Sequence, residues 1–198
     1  MPYIPLTRGQ STLLDTLDFD ALTAYRWIYD THGYAVHRYR DADGRSQRLW
    51  LHRLIMTRLL GHPIPPDLQV DHINRDRLDN RRDNLRLATR SQNQAHKGRS
   101  HHNTSGYKGV NANHGKWEVR LKIEHRSLYL GRFADPLAAA QVYDAAARLF
   151  SAEFAGLNFP DAPTTPAAQA HVLGWLARRP EVQQHLERVG RLHLADAP

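Results

Sequence analysis

With 198 residues, 41% of them apolar and none of them cysteine, the chain can bury one large core or two small ones; disulfides, thiolate zinc sites and a cysteine nucleophile are excluded. No run of about 18 apolar residues suggests a membrane span, and Met1-Pro2-Tyr3-Ile4-Pro5 lacks the basic-then-apolar order of a signal peptide, so a cytosolic protein of a bacterial or phage-infected cell is expected. The formal net charge of +7 favours a polyanionic partner, and it is concentrated mid-chain, where residues 51–100 hold 10 basic and 5 acidic side chains.

In chain order, Ile4 to Leu14 reads as a hairpin turning at Thr7-Arg8-Gly9-Gln10. Asp18 is placed to cap a short helix running to about Tyr25. Alternation predicts a strand over 33–40, the turn Asp41-Ala42-Asp43-Gly44, and a second strand over 46–51. His52 to Leu60 has helical spacing and stops at Gly61. After the breakers Pro63, Pro65 and Pro66 come a short strand at Val70-Asp71-His72, a polar loop over 74–83, and a strand at Asn84-Leu85-Arg86-Leu87-Ala88. Thr89-Arg90-Ser91-Gln92 fits a capping box and starts a helix at Arg90.

Residues 98–105 form a candidate linker. Three strands are predicted beyond it, over 107–111, 116–123 and 127–133. Asp135-Pro136 starts a helix to about Phe150 with Ala139, Ala140, Tyr143, Ala146, Ala147 and Phe150 on one face, suited to packing on a sheet. A second linker over 161–166 precedes two short helices of unassigned role. The expected fold is α+β, divided into 1–98, 105–160 and a tail 161–198.

Phosphodiester hydrolysis needs a group to deprotonate water, which suits a histidine, and a divalent ion to neutralise developing charge, which suits oxygen ligands. Asp71, His72, Asn84 and Asn93 supply these groups within a strand-loop-strand-helix frame. Neighbours on a strand face opposite ways, so Asp71 and His72 need a twisted strand end to converge on one phosphate. Asn84 is placed to hold the imidazole by a hydrogen bond, and Asn93 lies in the first helical turn, from which its carbonyl can reach an ion held by Asp71. His96 is the reserve ligand. His52 is assigned a structural role, and Asn74 and Asn80 are assigned to the turns of the loop. Thirteen histidines without cysteines show no paired zinc spacing.

Leu51-His52-Arg53-Leu54, Val70-Asp71-His72-Ile73-Asn74, Leu78-Asp79-Asn80, Asp83-Asn84-Leu85-Arg86 and Ser91-Gln92-Asn93 resemble the HNH nucleases of phage and intron homing endonucleases. The resemblance implies a ββα-metal fold, His72 as general base, Asn84 as the residue orienting it, and Asp71 and Asn93 as ligands of one Mg²⁺ or Mn²⁺. The third motif position is Asn here rather than His.

Ser105-Gly106-Tyr107-Lys108-Gly109-Val110, Gly115-Lys116-Trp117, Tyr129-Leu130-Gly131-Arg132-Phe133, Tyr143-Asp144-Ala145-Ala146 and Leu157-Asn158-Phe159-Pro160 resemble the Apetala-two, or ethylene-response-factor, DNA-binding domain. That implies a three-stranded antiparallel sheet packed on one helix, with the sheet in the major groove. Matching positions nominate Lys108, Asn111, Asn113, Trp117, Arg120, Lys122, Arg126, Ser127 and Tyr129 for contact with double-stranded DNA. The expected activity is metal-dependent nicking of DNA by a monomer or weak dimer. The competing expectation is a DNA-binding regulator with an inactive nuclease part.

Overall fold

The computed structural model describes residues 1–124 and 126–192. By internal contacts the chain divides at Arg90 into two compact units, Met1–Arg90 and the remainder from Ser91.

The first unit opens with the expected hairpin. β1 (Tyr3–Pro5) pairs antiparallel with β2 (Ser11–Leu13), and a 3-10 turn joins them. α1 (Thr16–Thr23) follows. Asp18 does not cap it. It lies inside the first turn, 1% exposed, because a longer-range attraction holds it: Arg82 donates to both its oxygens at 2.7 and 2.9 Å, and Arg58 donates at 3.1 Å. The Arg82 hydrogen bonds, opposed by burial and helped by Arg58, hold its carboxyl below the ordinary range.

β3 (Ile28–Tyr29), β4 (Ala35–Arg40) and β5 (Ser46–Trp50) form an antiparallel sheet. The β4–β5 turn closes as expected: the Asp41 carboxylate accepts from the Asp43 and Arg45 amides, and Gly44 takes φ 76°. α2 (Leu51–Leu60) begins at once after β5 and ends at Gly61, whose φ of 74° is the left-handed cap that the sequence predicts. Leu51, Ile55 and Met56 on its buried face join Leu14, Leu22, Trp27, Val70 and Leu85 in one core. β6 (Leu68–His72) and β7 (Leu85–Thr89) pair antiparallel, with Val70 opposite Leu87 and His72 opposite Leu85. A 3-10 turn, Arg82–Asn84, leads into β7, which runs without a break into α3 (Arg90–His96).

In the second unit β8 (Val110–Asn113), β9 (Lys116–Ile123) and β10 (Arg126–Phe133) form an antiparallel sheet in the order β10-β9-β8. The first strand starts three residues later than predicted. The Ser105 hydroxyl lies 2.7 Å from the Val110 carbonyl and 3.0 Å from the Tyr107 carbonyl and accepts from the Tyr107 amide, folding 105–109 into a turn, and Gly109 takes a left-handed φ of 74°. α4 (Pro136–Ser151) is capped by Asp135, which accepts from the amides of Leu137 and Ala138. Its Ala139, Ala140, Tyr143, Ala146, Ala147 and Phe150 are all buried with Val119, Leu121 and Leu130 of the sheet.

The tail belongs to that same core. α5 (Pro166–Ala177) and α6 (Pro180–Arg188) contribute Val172, Trp175, Leu176 and Leu186. A β-bulge between Tyr129 and Gly131 turns two carbonyls outward from edge strand β10. Trp175 Nε1 donates to the Tyr129 carbonyl and His171 Nε2 meets the Leu130 carbonyl, each at 2.7 Å. Beyond α6 the guanidinium of Arg191, 8% exposed, pairs with Glu124 at the end of β9. No described helix is long and apolar enough to cross a membrane.

Candidate active site and nucleic-acid interface

β6 carries the two adjacent groups of the expected nuclease motif, and β7 fixes one of them. Asp71 lies directly opposite Arg86, and Arg86 Nε and Nη2 both stand 2.9 Å from Asp71 Oδ2. Asp71 is 7% exposed, and the Arg86 Nε hydrogen bond and the guanidinium charge both fall on its Oδ2. His72, the last residue of β6, is 4% exposed. Its ring packs edge-on against His52 with centroids 5.3 Å apart, and Tyr34 lies 6.1 Å away. Burial pushes the His72 pKa below the ordinary histidine range, opposed by a hydrogen bond to Asn80 and by the Asp71 charge. At neutral pH the imidazole is therefore uncharged, the form able to accept a proton.

His52 sits on α2 among Tyr34, Trp50 and His72. Burial, with a further contribution from His72, lowers its pKa from 6.5 to about 3. Above pH 6.5 the ring is neutral in both the folded and the unfolded chain, and the full stability is present. Between 6.5 and about 3 only the unfolded chain binds the proton, so stability falls as pH falls. The expected slope approaches about 1 kcal/mol per pH unit from this group alone. Urea midpoints at pH 7.5 and 5 should diverge less in His52→Gln than in the parent; equal divergence would place the acid sensitivity elsewhere.

The amide against His72 is not the expected one. Asn84 sits in the 3-10 turn before β7, where its Oδ1 accepts from the Asn74 amide at 2.9 Å and its Nδ2 donates to Asn74 Oδ1 and the Asp79 carbonyl. Together with the Ile73 amide donating to the Asn84 carbonyl, these bonds tie down the chain just past His72. Asn80, which the sequence assigned to a turn, is 1% exposed and places Oδ1 3.3 Å from His72 Nε2. Asn74 does serve the loop turn, accepting from the Asp76 amide. Asn93 and His96 lie on α3, in the second unit, Asn93 half-buried and His96 buried. Among the described residues no group of three or more His, Asp or Glu side chains gathers as a metal cluster; one carboxylate and one amide would not form such a group.

The second sheet separates the nominated DNA-contacting residues. Asn111, Arg120, Lys122, Ser127 and Tyr129 are exposed and Asn113 is half-buried. Register places Arg120 opposite Tyr129 and Lys122 opposite Ser127, so these four share the face away from α4. The Arg120 guanidinium lies 5.5 Å from the Tyr129 ring centroid. Three nominated residues lie off that face. Trp117 alternates with Arg120 and packs half-buried against the core. Lys108 turns inward, its ammonium donating to the carbonyls of Ala95 and Lys97 at the end of α3. Arg126 is exposed but pairs with buried Ile123, out of step with the Arg120–Lys122 face.

Glu118 was not foreseen. It stands on the Arg120 face, 9% exposed, bonding Arg120 and accepting from Asn113 Nδ2 at 2.8 Å. Those two bonds hold its pKa below the usual carboxylate range. Its alternation with Arg120 and Lys122 was the one available signal.

A buried Asp-His pair at the end of a strand, an Asn-rich loop and a returning strand that leads into a helix point to the HNH class of nucleases. The family model for HNH endonucleases matches residues 49–95. An uncharacterized HNH endonuclease of Acanthamoeba polyphaga mimivirus is 35% identical over 156 residues, covering 77% of this chain and 78% of that protein. The chain belongs to the HNH endonuclease family and is an endonuclease. An AP2/ERF and B3 domain-containing protein of Oryza sativa subsp. japonica is 40% identical over 75 residues, covering 37% of this chain and 20% of the rice protein.

Proposed function

We propose that this endonuclease is a divalent-metal-dependent, DNA-nicking enzyme of the ββα-metal type. Its nuclease part extends to about residue 98, and an AP2/ERF-like sheet within 105–160 docks it on duplex DNA. The observation that carries this reading is His72: a buried, uncharged imidazole held at the end of β6 beside a fixed carboxylate. In the proposed reaction His72 takes the proton of the attacking water as the water oxygen bonds to phosphorus and the 3′-oxygen leaves.

The donor types suit a hard divalent cation, Mg²⁺ or Mn²⁺: Asp71 carries an anionic oxygen beside Arg86, and Asn93 carries a neutral carbonyl oxygen. When bound, such an ion would supply charge neutralisation at the scissile phosphate. Chelation should abolish conversion of supercoiled plasmid to nicked circles, and excess Mg²⁺ should restore it. Cutting that persists in chelator would remove the metal from the mechanism. Direct appearance of linear product, without a nicked precursor, would replace nicking by paired cutting.

Support for the docking sheet comes from its exposed Arg120 and Lys122, its unburied Tyr129 ring and the partial likeness to the rice protein. Arg120→Ala and Lys122→Ala should each weaken binding and reduce the slope of log affinity against log salt by about 1. Unchanged slopes in gel retardation would take this face out of the DNA contact.

A further inference from the structure

Thr12 and Asn80 form a chain of hydrogen bonds that ends on His72. Both are buried, at 0% and 1% exposure, so neither exchanges these partners for water. Thr12 Oγ1 lies 2.8 Å from the Leu78 carbonyl, which only accepts; the single hydroxyl proton is therefore spent there. Toward Asn80 the hydroxyl is an acceptor. The amide end facing it, at 2.8 Å, is thus the NH₂ group, which also faces the Arg77 carbonyl at 3.3 Å. Two acceptors at one end of the amide set its flip. The other end, facing His72 Nε2 at 3.3 Å, is the carbonyl oxygen, which only accepts. Nε2 must then carry hydrogen. A neutral imidazole has one N–H, so Nδ1 keeps the lone pair.

We propose that Asn80 and Thr12 are positioning residues that fix His72 as the Nε2–H tautomer and leave Nδ1 as the atom that takes the proton from water. This rests on the reading of His72 as the base. It also gives the N-terminal hairpin a part in the reaction, since Thr12 lies on β2, 68 residues from Asn80. The backbone supports the same link. The Leu13 amide donates to the Leu78 carbonyl at 2.8 Å and the Asn80 amide donates to the Leu13 carbonyl at 2.9 Å, so β2 grips the loop on both sides of Asp79. Once Nδ1 is protonated, Nε2–H still donates to Asn80, and the interaction holds through proton transfer.

The test is a long-range proton–nitrogen NMR spectrum of the full-length protein at neutral pH without added metal. His72 should show a protonated Nε2 and an unprotonated Nδ1. The opposite pattern would overturn the proposal whatever the activity. Thr12→Val keeps the shape but removes the hydroxyl; it should blur His72 into a mixture of tautomers and slow nicking about 10-fold or more. Thr12→Ser should restore both. A folded Thr12→Val protein with parental spectrum and rate would refute the coupling, and if Thr12→Val does not fold, the parental spectrum still decides the tautomer. The base assignment fails separately, if His72→Ala cuts at the parental rate.

Discussion

Nicking of supercoiled plasmid by His72→Ala is expected to be about 10²–10⁴-fold slower than by the parent, the usual worth of a positioned general base. Retardation of duplex DNA in gels should be nearly unchanged, because affinity comes mainly from phosphate contacts that this buried ring does not make. Removing the ring also opens a hole against His52 and Tyr34, so His72→Gln belongs beside the alanine variant to refill it. Both variants should lose cutting and keep binding. Loss of binding in parallel with cutting, in both, would make His72 a packing residue. Parental cutting by either would move the base elsewhere.

The second large effect is expected at Gly109. Its φ is 74°, and an added Cβ would stand 2.1 Å from two carbons of the Tyr143 ring and 2.9 Å from the Arg120 carbonyl oxygen. Tyr143 is 4% exposed on the packed face of α4, so the ring has no open direction in which to yield. Gly109→Ala therefore combines a left-handed backbone cost with overpacking, together about 2–4 kcal/mol of lost stability. The Arg120 amide donates to the Gly109 carbonyl, so displacement here also disturbs the strand carrying the proposed DNA face. Thermal unfolding and DNA retardation should both deteriorate. A change under about 1 kcal/mol would mean that β8 and α4 separate more easily than their packing implies.

What the sequence disclosed, and what it withheld, divides along the range of the forces. α4 was legible because its cap, its first proline and its alanine spacing are all local. The stop of α2 at Gly61 and the β4–β5 turn were legible for the same reason. Asp18 looked like a cap because nothing nearby in sequence announces Arg58 and Arg82. The start of β8 was misplaced because the Ser105 hydroxyl gathers the backbone of Tyr107 and Val110 into a turn and Gly109 leaves the extended region.

In the proposed nuclease site, Asp71 and His72 are nominated by their chemistry. The choice between Asn80 and Asn84 could not be made that way, since both are asparagines of one loop and only the path of that loop decides which reaches the imidazole. Lys108 illustrates the converse: a lysine in a basic segment whose ammonium is taken by two backbone carbonyls.

The helices after Pro160 bear on how the molecule can be dissected. A fragment ending at Pro160 matches the span of the AP2/ERF-like likeness, yet it would strip Val172, Trp175 and Leu176 from the sheet and uncover the outward carbonyls of Tyr129 and Leu130. Such a fragment would present a raw β edge beside an apolar trough, the combination that recruits other chains. A fragment built on this sheet must therefore reach at least Arg191, whose pairing with Glu124 anchors the far end of this cover.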